Sequence, residues 1–184
     1  MEKKSLVKAS TIIELIGLIA IFIIPVMLNL KNPISVSVII LLVTFSRSTL
    51  LHRNMMLGFH SFLTLVSGHM FGWQGGALVG ILSTILVWRM SKILGGSYPL
   101  PVLTIYDSIY LTALGIYGAF IPAGNFVLVG LIGIIVGKYI GGNIVRAFFS
   151  PEPLVKHIML SFLNLIVNYF LLTSFSAVVI SVFG

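Results

Sequence analysis

The sequence predicts an all-α fold, a polytopic bundle of about seven transmembrane helices. Apolar residues make up 58% of the chain and charged residues only 8%, against roughly 45–50% and 25% in an average soluble domain. The apolar residues form runs of about the length that crosses a bilayer, and the few charges lie between those runs. A soluble chain of 184 residues cannot bury so much apolar surface, so we expect one membrane domain, residues 1–184, surrounded mainly by lipid.

The runs predict where the helices lie. A span needs about 20 residues, with roughly 17 as the lower limit, so the second, third and fourth runs are marginal. Lipid tolerates no unpaired backbone groups, so each run is expected to be helical. If two short runs merge, six helices remain, and runs three and four can instead form a re-entrant hairpin about the turn at Gly72–Gly76. The runs cover about 11–30, 33–51, 54–71, 75–94, 101–121, 124–146 and 156–183.

The basic residues predict the orientation in the membrane. Counted over alternate loops, ten of the eleven lie on one side and only Lys31 lies on the other. The positive-inside rule then places the short basic N-terminus, residues 1–10, in the cytoplasm of a multi-pass protein of the cell membrane. With seven spans the C-terminus lies outside. The net charge of +7 does not indicate nucleic-acid binding, because the basic residues are spaced singly or in small groups between apolar runs.

Two acidic residues lie within or beside apolar runs. Glu14 is either a proton or cation site or, more simply, the last residue of the capping box Thr11–Glu14, which satisfies backbone N–H groups. Asp107 lies about two turns beyond Pro101 and is expected to face a partner, a cavity or water, because an unpaired buried carboxylate is costly. Arg89, Lys92 or a bound cation are the partners that we expect. A structural ion pair and a functional site both remain open.

Polar residues recur at helical spacing in two runs. Such stripes either join helices or line a hydrated pocket. No histidine pair or carboxylate cluster has metal-ligand spacing, and no hydrolase or transferase motif occurs, so we expect no metal, no cofactor and no enzymatic activity. The stripes are His157, Ser161, Asn164 and Asn168 in the last run, and His60, Thr64 and Ser67 in the third.

Glycines recur every fourth residue in two places, at Gly76 and Gly80 and along Gly133, Gly137 and Gly141. Small residues at this spacing let helix backbones approach closely in a membrane. Packing within the chain and docking to a partner subunit are both open.

The stretch from Gly58 to Leu86, centred on GHMFGWQGGALVGILS, resembles the helix-turn-helix signature of the substrate-binding S components of energy-coupling factor (ECF) transporters. The matching positions are Phe71, Gly72, Gly75 or Gly76, Ala77, Gly80 and Ser83. Trp73 stands where the pattern has Pro. The resemblance implies a small helical binder of vitamins or micronutrients with six spans, both ends cytoplasmic, and a partner ATPase module.

The sequence thus predicts a non-enzymatic membrane protein that binds a small polar solute and works with an ATP-driven partner. No nucleotide-binding loop occurs in the chain, so any ATP use falls to another chain. Alternatives are a non-enzymatic subunit of a larger membrane complex and, less favoured, an intramembrane enzyme. The candidate solute-binding residues are Asp107, Tyr106, Asn164, Asn168 and His60. The expected partners are membrane lipid, a small-molecule ligand and a possible partner subunit.

Overall fold

The computed structural model describes residues 19–48, 59–93, 101–150 and 153–183, and every secondary-structure element in these ranges is helical. The N-terminal residues 1–10, Glu14 and His52 lie outside them. Pro33 and Pro101, which stand at the starts of the second and fifth apolar runs of the sequence, begin helices, because a first-turn residue needs no backbone N–H. Six helices are described: α1 over 19–27, α2 Pro33–Ser48, α3 His60–Ile93, α4 Pro101–Gly118, α5 Ala123–Phe149 and α6 Leu154–Phe183.

Helix α3 joins the third and fourth predicted runs and reverses direction at one residue. Gly72 has φ 77° and ψ 178°, which interrupts the helix. A Cβ atom built on Gly76 would lie 2.7 Å from the Cα atom of Gly68, whereas residues eight apart in a straight helix are about 12 Å apart. The two arms of α3 therefore lie side by side next to the turn. The predicted loop at Gly72–Gly76 is wrong in extent, because the chain is helical again from Trp73.

Gly72→Ala is expected to lower the free energy of unfolding by about 1–3 kcal/mol, because the backbone conformation of Gly72 is one that only glycine adopts without strain. No atom lies within 4 Å of the position that the new Cβ would take, so strain alone produces the effect. Thermal unfolding in detergent measures it. Gly124→Ala is the matched control, because Gly124 also has open space around it and lacks a positive φ. Equal midpoints for the two variants would contradict the sharp turn.

Helix α4 packs against both arms of α3 through glycine backbones. Cβ atoms built on Gly68 and Gly76 would both collide with the carbonyl oxygen of Gly115, and one on Gly80 would lie 2.6 Å from the backbone nitrogen of Thr112. Since glycines on α3 face Gly115 and the backbone of Thr112 on α4, the three segments approach to backbone contact. This contact fixes α4 beside α3, and α4 carries Asp107.

The outer helices have their polar residues inside and their apolar residues outside. In α6 the buried residues are His157, Ser161, Asn164, Asn168 and Leu172, while most of its large apolar side chains are exposed. The predicted polar stripe on α6 is therefore confirmed as an inward face. A water-soluble helix has the opposite pattern, with the apolar stripe inside. Three described helical segments are long and apolar enough to cross a membrane: His60–Val87, which contains the turn at Gly72, Ala123–Phe149 and Leu154–Phe183.

Candidate functional site

Asp107 is the centre of a buried charge network that joins four helices. Its Oδ2 atom accepts a hydrogen bond from Nη2 of Arg47 on α2 at 2.9 Å, and its Oδ1 atom lies 3.8 Å from Nζ of Lys138 on α5. Nη1 of Arg47 donates to the hydroxyl of Thr84 on α3 at 2.8 Å. Both cationic side chains are only 5% exposed, so each would be costly to bury without the carboxylate.

The structure gives Asp107 two partners that the sequence does not predict. We expected Arg89, Lys92 or a cation beside Asp107, and the described partners are Arg47 and Lys138. The side chains of Arg89 and Lys92 lie outside the described part of the structure. Arg47 is 60 positions away in sequence, so no local spacing pattern links it to Asp107.

Three tyrosines of α4 pack into the glycine ridge of α5. Cβ atoms built on Gly133 and Gly137 would collide with the rings of Tyr117 and Tyr110, and one on Gly141 would collide with the hydroxyl of Tyr106. The ridge therefore contacts the chain's own helix α4, as Gly76 and Gly80 do. These glycines were predicted either to pack helices within the chain or to dock a partner subunit. The geometry is that of packing within the chain.

Tyr106 and Tyr110 extend the network on either side of Asp107. Their rings are nearly parallel, with centroids 6.4 Å apart. The Tyr110 hydroxyl donates to the hydroxyl of Ser61 at 3.1 Å, next to the buried His60 at the start of α3. The Tyr106 hydroxyl donates to the carbonyl oxygen of Gly137. Tyr106 and Asp107, both predicted on α4, thus lie in this network, and His60 is buried at the start of α3 beside Ser61 in sequence.

The segment Ile135–Gly141 of α5 is a π-helix. The backbone N–H of Gly142 donates to the carbonyl oxygen of Gly137, five residues earlier, and this same oxygen accepts the Tyr106 hydroxyl. π-Helical turns are rare and frequently occur at functional sites. Here the wider turn contains Lys138 and presents it to Asp107 in the interior.

Lys138 also connects this network to the polar face of α6. Ile134, Lys138, Tyr139, Ser161, Asn164 and Leu165 line a cleft between α5 and α6 that is too narrow in this structure to hold a water molecule. Asn164 accepts a hydrogen bond from the side-chain amide of Asn168, and both residues are almost completely buried. Asp107 and Asn164, predicted from separate parts of the sequence, are therefore both neighbours of Lys138.

Two further polar pairs hold α5 to α6 beyond the cleft. The hydroxyl of Ser161 donates to Oδ1 of Asn143 at 3.1 Å, and the Ser150 hydroxyl lies 2.9 Å from Nε2 of His157. Buried polar groups in lipid are satisfied by such contacts across helices. The stripe on α6 therefore contacts residues outside α6 at His157 and Ser161, and it borders the cleft at Ser161 and Asn164.

Three basic residues counted as interfacial charges are buried inside the helices. Arg47, Lys138 and Arg146 are 7%, 4% and 8% exposed, whereas Lys31 is exposed. Their treatment as loop charges is wrong, because each is buried within a helix. A signal was present in the sequence for Lys138 and Arg146, which lie within the predicted sixth run or at its end, whereas Arg47 lies between Ser46 and Ser48.

The fold and the site define an all-helical protein with three segments long enough to cross a bilayer and a charged, polar interior, which is compatible with a membrane protein. Among the residues with described positions, no group of three or more His, Asp or Glu side chains gathers as a metal site. Comparisons with protein-family models, with curated proteins and with solved structures find no match to this chain.

Proposed function

We propose that this is an integral, multi-pass membrane protein that binds a small polar solute between α4, α5 and α6 and passes it across the membrane with a partner ATP-driven module. The observation that carries the proposal is the double contact of Lys138, which reaches Asp107 on one side and borders the cleft with Asn164 on the other. A purely structural ion pair needs no contact with a cleft.

The arrangement of polar groups around the cleft supports binding of a solute rather than catalysis of a reaction. The groups around the cleft are an ammonium, hydroxyls and a carboxamide, which donate and accept hydrogen bonds. Small-molecule sites combine apolar walls with a few placed polar groups of this kind, and Ile134, Tyr139 and Leu165 provide the walls. The resemblance of the Gly58–Leu86 stretch to S components of ECF transporters supports the same class and implies the ATPase partner.

Entry to the cleft requires α6 to move relative to α5. α6 is buried along one polar face only, so few contacts hold it against the rest of the chain. A modest displacement of α6 would widen the cleft while Asp107, Arg47 and Thr84 stay together on α2, α3 and α4. The solute site then opens without disruption of the charge network.

Solute binding is tested by thermal unfolding of the purified protein in detergent with a panel of vitamins and other small polar solutes. We expect at least one solute to raise the unfolding midpoint saturably, and Asn164→Ala to weaken its affinity about tenfold or more, because a buried hydrogen-bond partner is lost. Thr173→Ala is the control, because Thr173 lies on the exposed side of the same helix.

A panel without any stabilising solute would contradict the proposal. Co-purification of a stoichiometric membrane partner without ATPase activity would then favour the alternative, a non-enzymatic subunit of a larger complex, in which the polar faces serve only to join helices. Co-purification of an ATPase together with solute-dependent stabilisation would support the transporter component.

A further inference from the structure

The described part of the charge network carries more positive than negative charge. Arg47, Lys138 and Arg146 are all buried, and Asp107 is the one acidic residue at described positions. Lys138 lies within electrostatic range of Asp107 and of both arginines. The Asp107 carboxylate can neutralise one of these three cations, and in a medium of low dielectric constant the remaining positive charge strongly favours an anion nearby.

Arg146 is the cation without an acidic partner among the described residues. Its Nη1 atom is buried and has no hydrogen-bond partner in that part of the chain. This atom lies close over the backbone of Gly142, 3.2 Å from the position of a Cβ built there, and the Tyr106 ring is adjacent to the same position. The guanidinium group thus packs tightly over Gly142 and still has a buried hydrogen to donate.

The surrounding donors suit an oxyanion. A guanidinium group presents N–H donors in a planar fork that matches carboxylate and phosphate oxygens. The Asn143 carboxamide, three residues before Arg146, binds Ser161, which also borders the cleft that contains Lys138. Arg146, whose Nη1 atom lies near the Tyr106 ring, and Lys138, which contacts Asp107, are within electrostatic range of each other.

We propose that Arg146 and Lys138 bind an oxyanion, a carboxylate or phosphate group, and that the transported solute is an anion held through this group. The inference rests on the proposed function, because it names the chemical class of the solute. The same chemistry is present in the headgroup of an acidic lipid, so the test separates the two sources.

The experiment measures thermal unfolding of the full chain in neutral detergent at constant ionic strength. Inorganic phosphate and succinate are titrated against sodium chloride, with glucose as the neutral solute, and phosphatidylglycerol is compared with phosphatidylcholine in nanodiscs. We expect saturable stabilisation by phosphate or succinate and an affinity at least about tenfold weaker in Arg146→Gln, because a charge-assisted hydrogen bond is lost. Lys31→Gln, which removes an exposed cation, should leave the affinity unchanged.

Stabilisation by phosphatidylglycerol alone, lost in Arg146→Gln, would support the oxyanion site but overturn its assignment to the transported solute, because the anion would then be a lipid headgroup. No stabilisation by any anion would overturn the inference, even where Arg146→Gln fails to fold, because the wild-type titration needs no variant. Glu152→Gln and Arg146→Gln are also compared in buffer without anions. Equal loss of stability in the two variants would overturn the inference, because it would indicate that Glu152 of the chain itself neutralises Arg146. Binding of a neutral solute that depends on Asn164, without anion binding, would leave the proposed function intact.

Discussion

Asp107→Asn is expected to lower the free energy of unfolding by about 3–5 kcal/mol, the usual cost of removing one member of a buried ion pair. Asparagine keeps the size and shape of the side chain and removes only its charge. Arg47 and Lys138 then remain buried without the carboxylate that contacts both of them. Thermal or chemical unfolding of the purified variant in detergent measures the loss.

Arg47→Met is the informative comparison, because it should cost less than Asp107→Asn. With Arg47 removed, Lys138 still lies 3.8 Å from the Asp107 carboxylate, so one cation and one anion remain. The Thr84 hydroxyl keeps its hydrogen bond to the carbonyl oxygen of Gly80, so it is not left without a partner. The double variant should cost less than the sum of the two single variants, because both changes break the same contact. Strict additivity would show that Arg47 and Asp107 are not coupled.

The sequence predicted those features that depend on residues close together along the chain. Prolines mark the starts of α2 and α4, and the 4-3-4 spacing of polar residues on α6 placed them on one inward face. Both follow from rules that act within one or two helical turns, because a proline fixes its own backbone angle and side chains four residues apart share a face. The all-helical class followed from composition, since apolar segments in lipid must satisfy their own backbone.

The partners of Asp107 could not be predicted in this way. Spacing identifies the face on which a residue lies but not the helix that covers that face, and Arg47 reaches Asp107 from another helix. The charge count also treated Arg47, Lys138 and Arg146 as residues in loops, because it uses their separation along the chain and not their burial. Nothing in the sequence indicated the π-helical turn that contains Lys138, and its contact with the Tyr106 hydroxyl comes from a residue 31 positions away.

The turn in α3 also has one feature that the sequence indicates and one that it does not. Its glycines indicated a reversal between two short runs, and the reversal occurs at Gly72. The single-residue extent of the turn depends on contacts that the sequence does not display, above all the approach of both arms to Gly115 on a helix more than 35 positions away. Gly115 belongs to no repeated glycine pattern, so sequence reasoning gave it no role.

Gly115→Ala is expected to lower the free energy of unfolding by about 3 kcal/mol or more, at the upper end of the usual cost of overpacking. The added Cβ would collide with the carbonyl group of Gly76 and would lie 2.9 Å from its Cα atom. These are backbone atoms, so no side chain can rotate away and α3 and α4 must separate. Thermal unfolding in detergent should show a midpoint lower by on the order of 10 °C.

Gly124→Ala again provides the control, because its new methyl group meets open space. Gly76→Ala disrupts the same contact from α3. The double variant Gly76→Ala/Gly115→Ala should therefore lose less free energy of unfolding than the sum of the two single variants. Membrane helices associate largely through close packing, which weakens steeply with separation. A shift of α4 would also move Tyr106 and Asp107 away from α5, so Gly115→Ala should weaken solute binding at temperatures where it is still folded. An unfolding midpoint equal to that of Gly124→Ala would mean that α3 and α4 do not pack through these glycines.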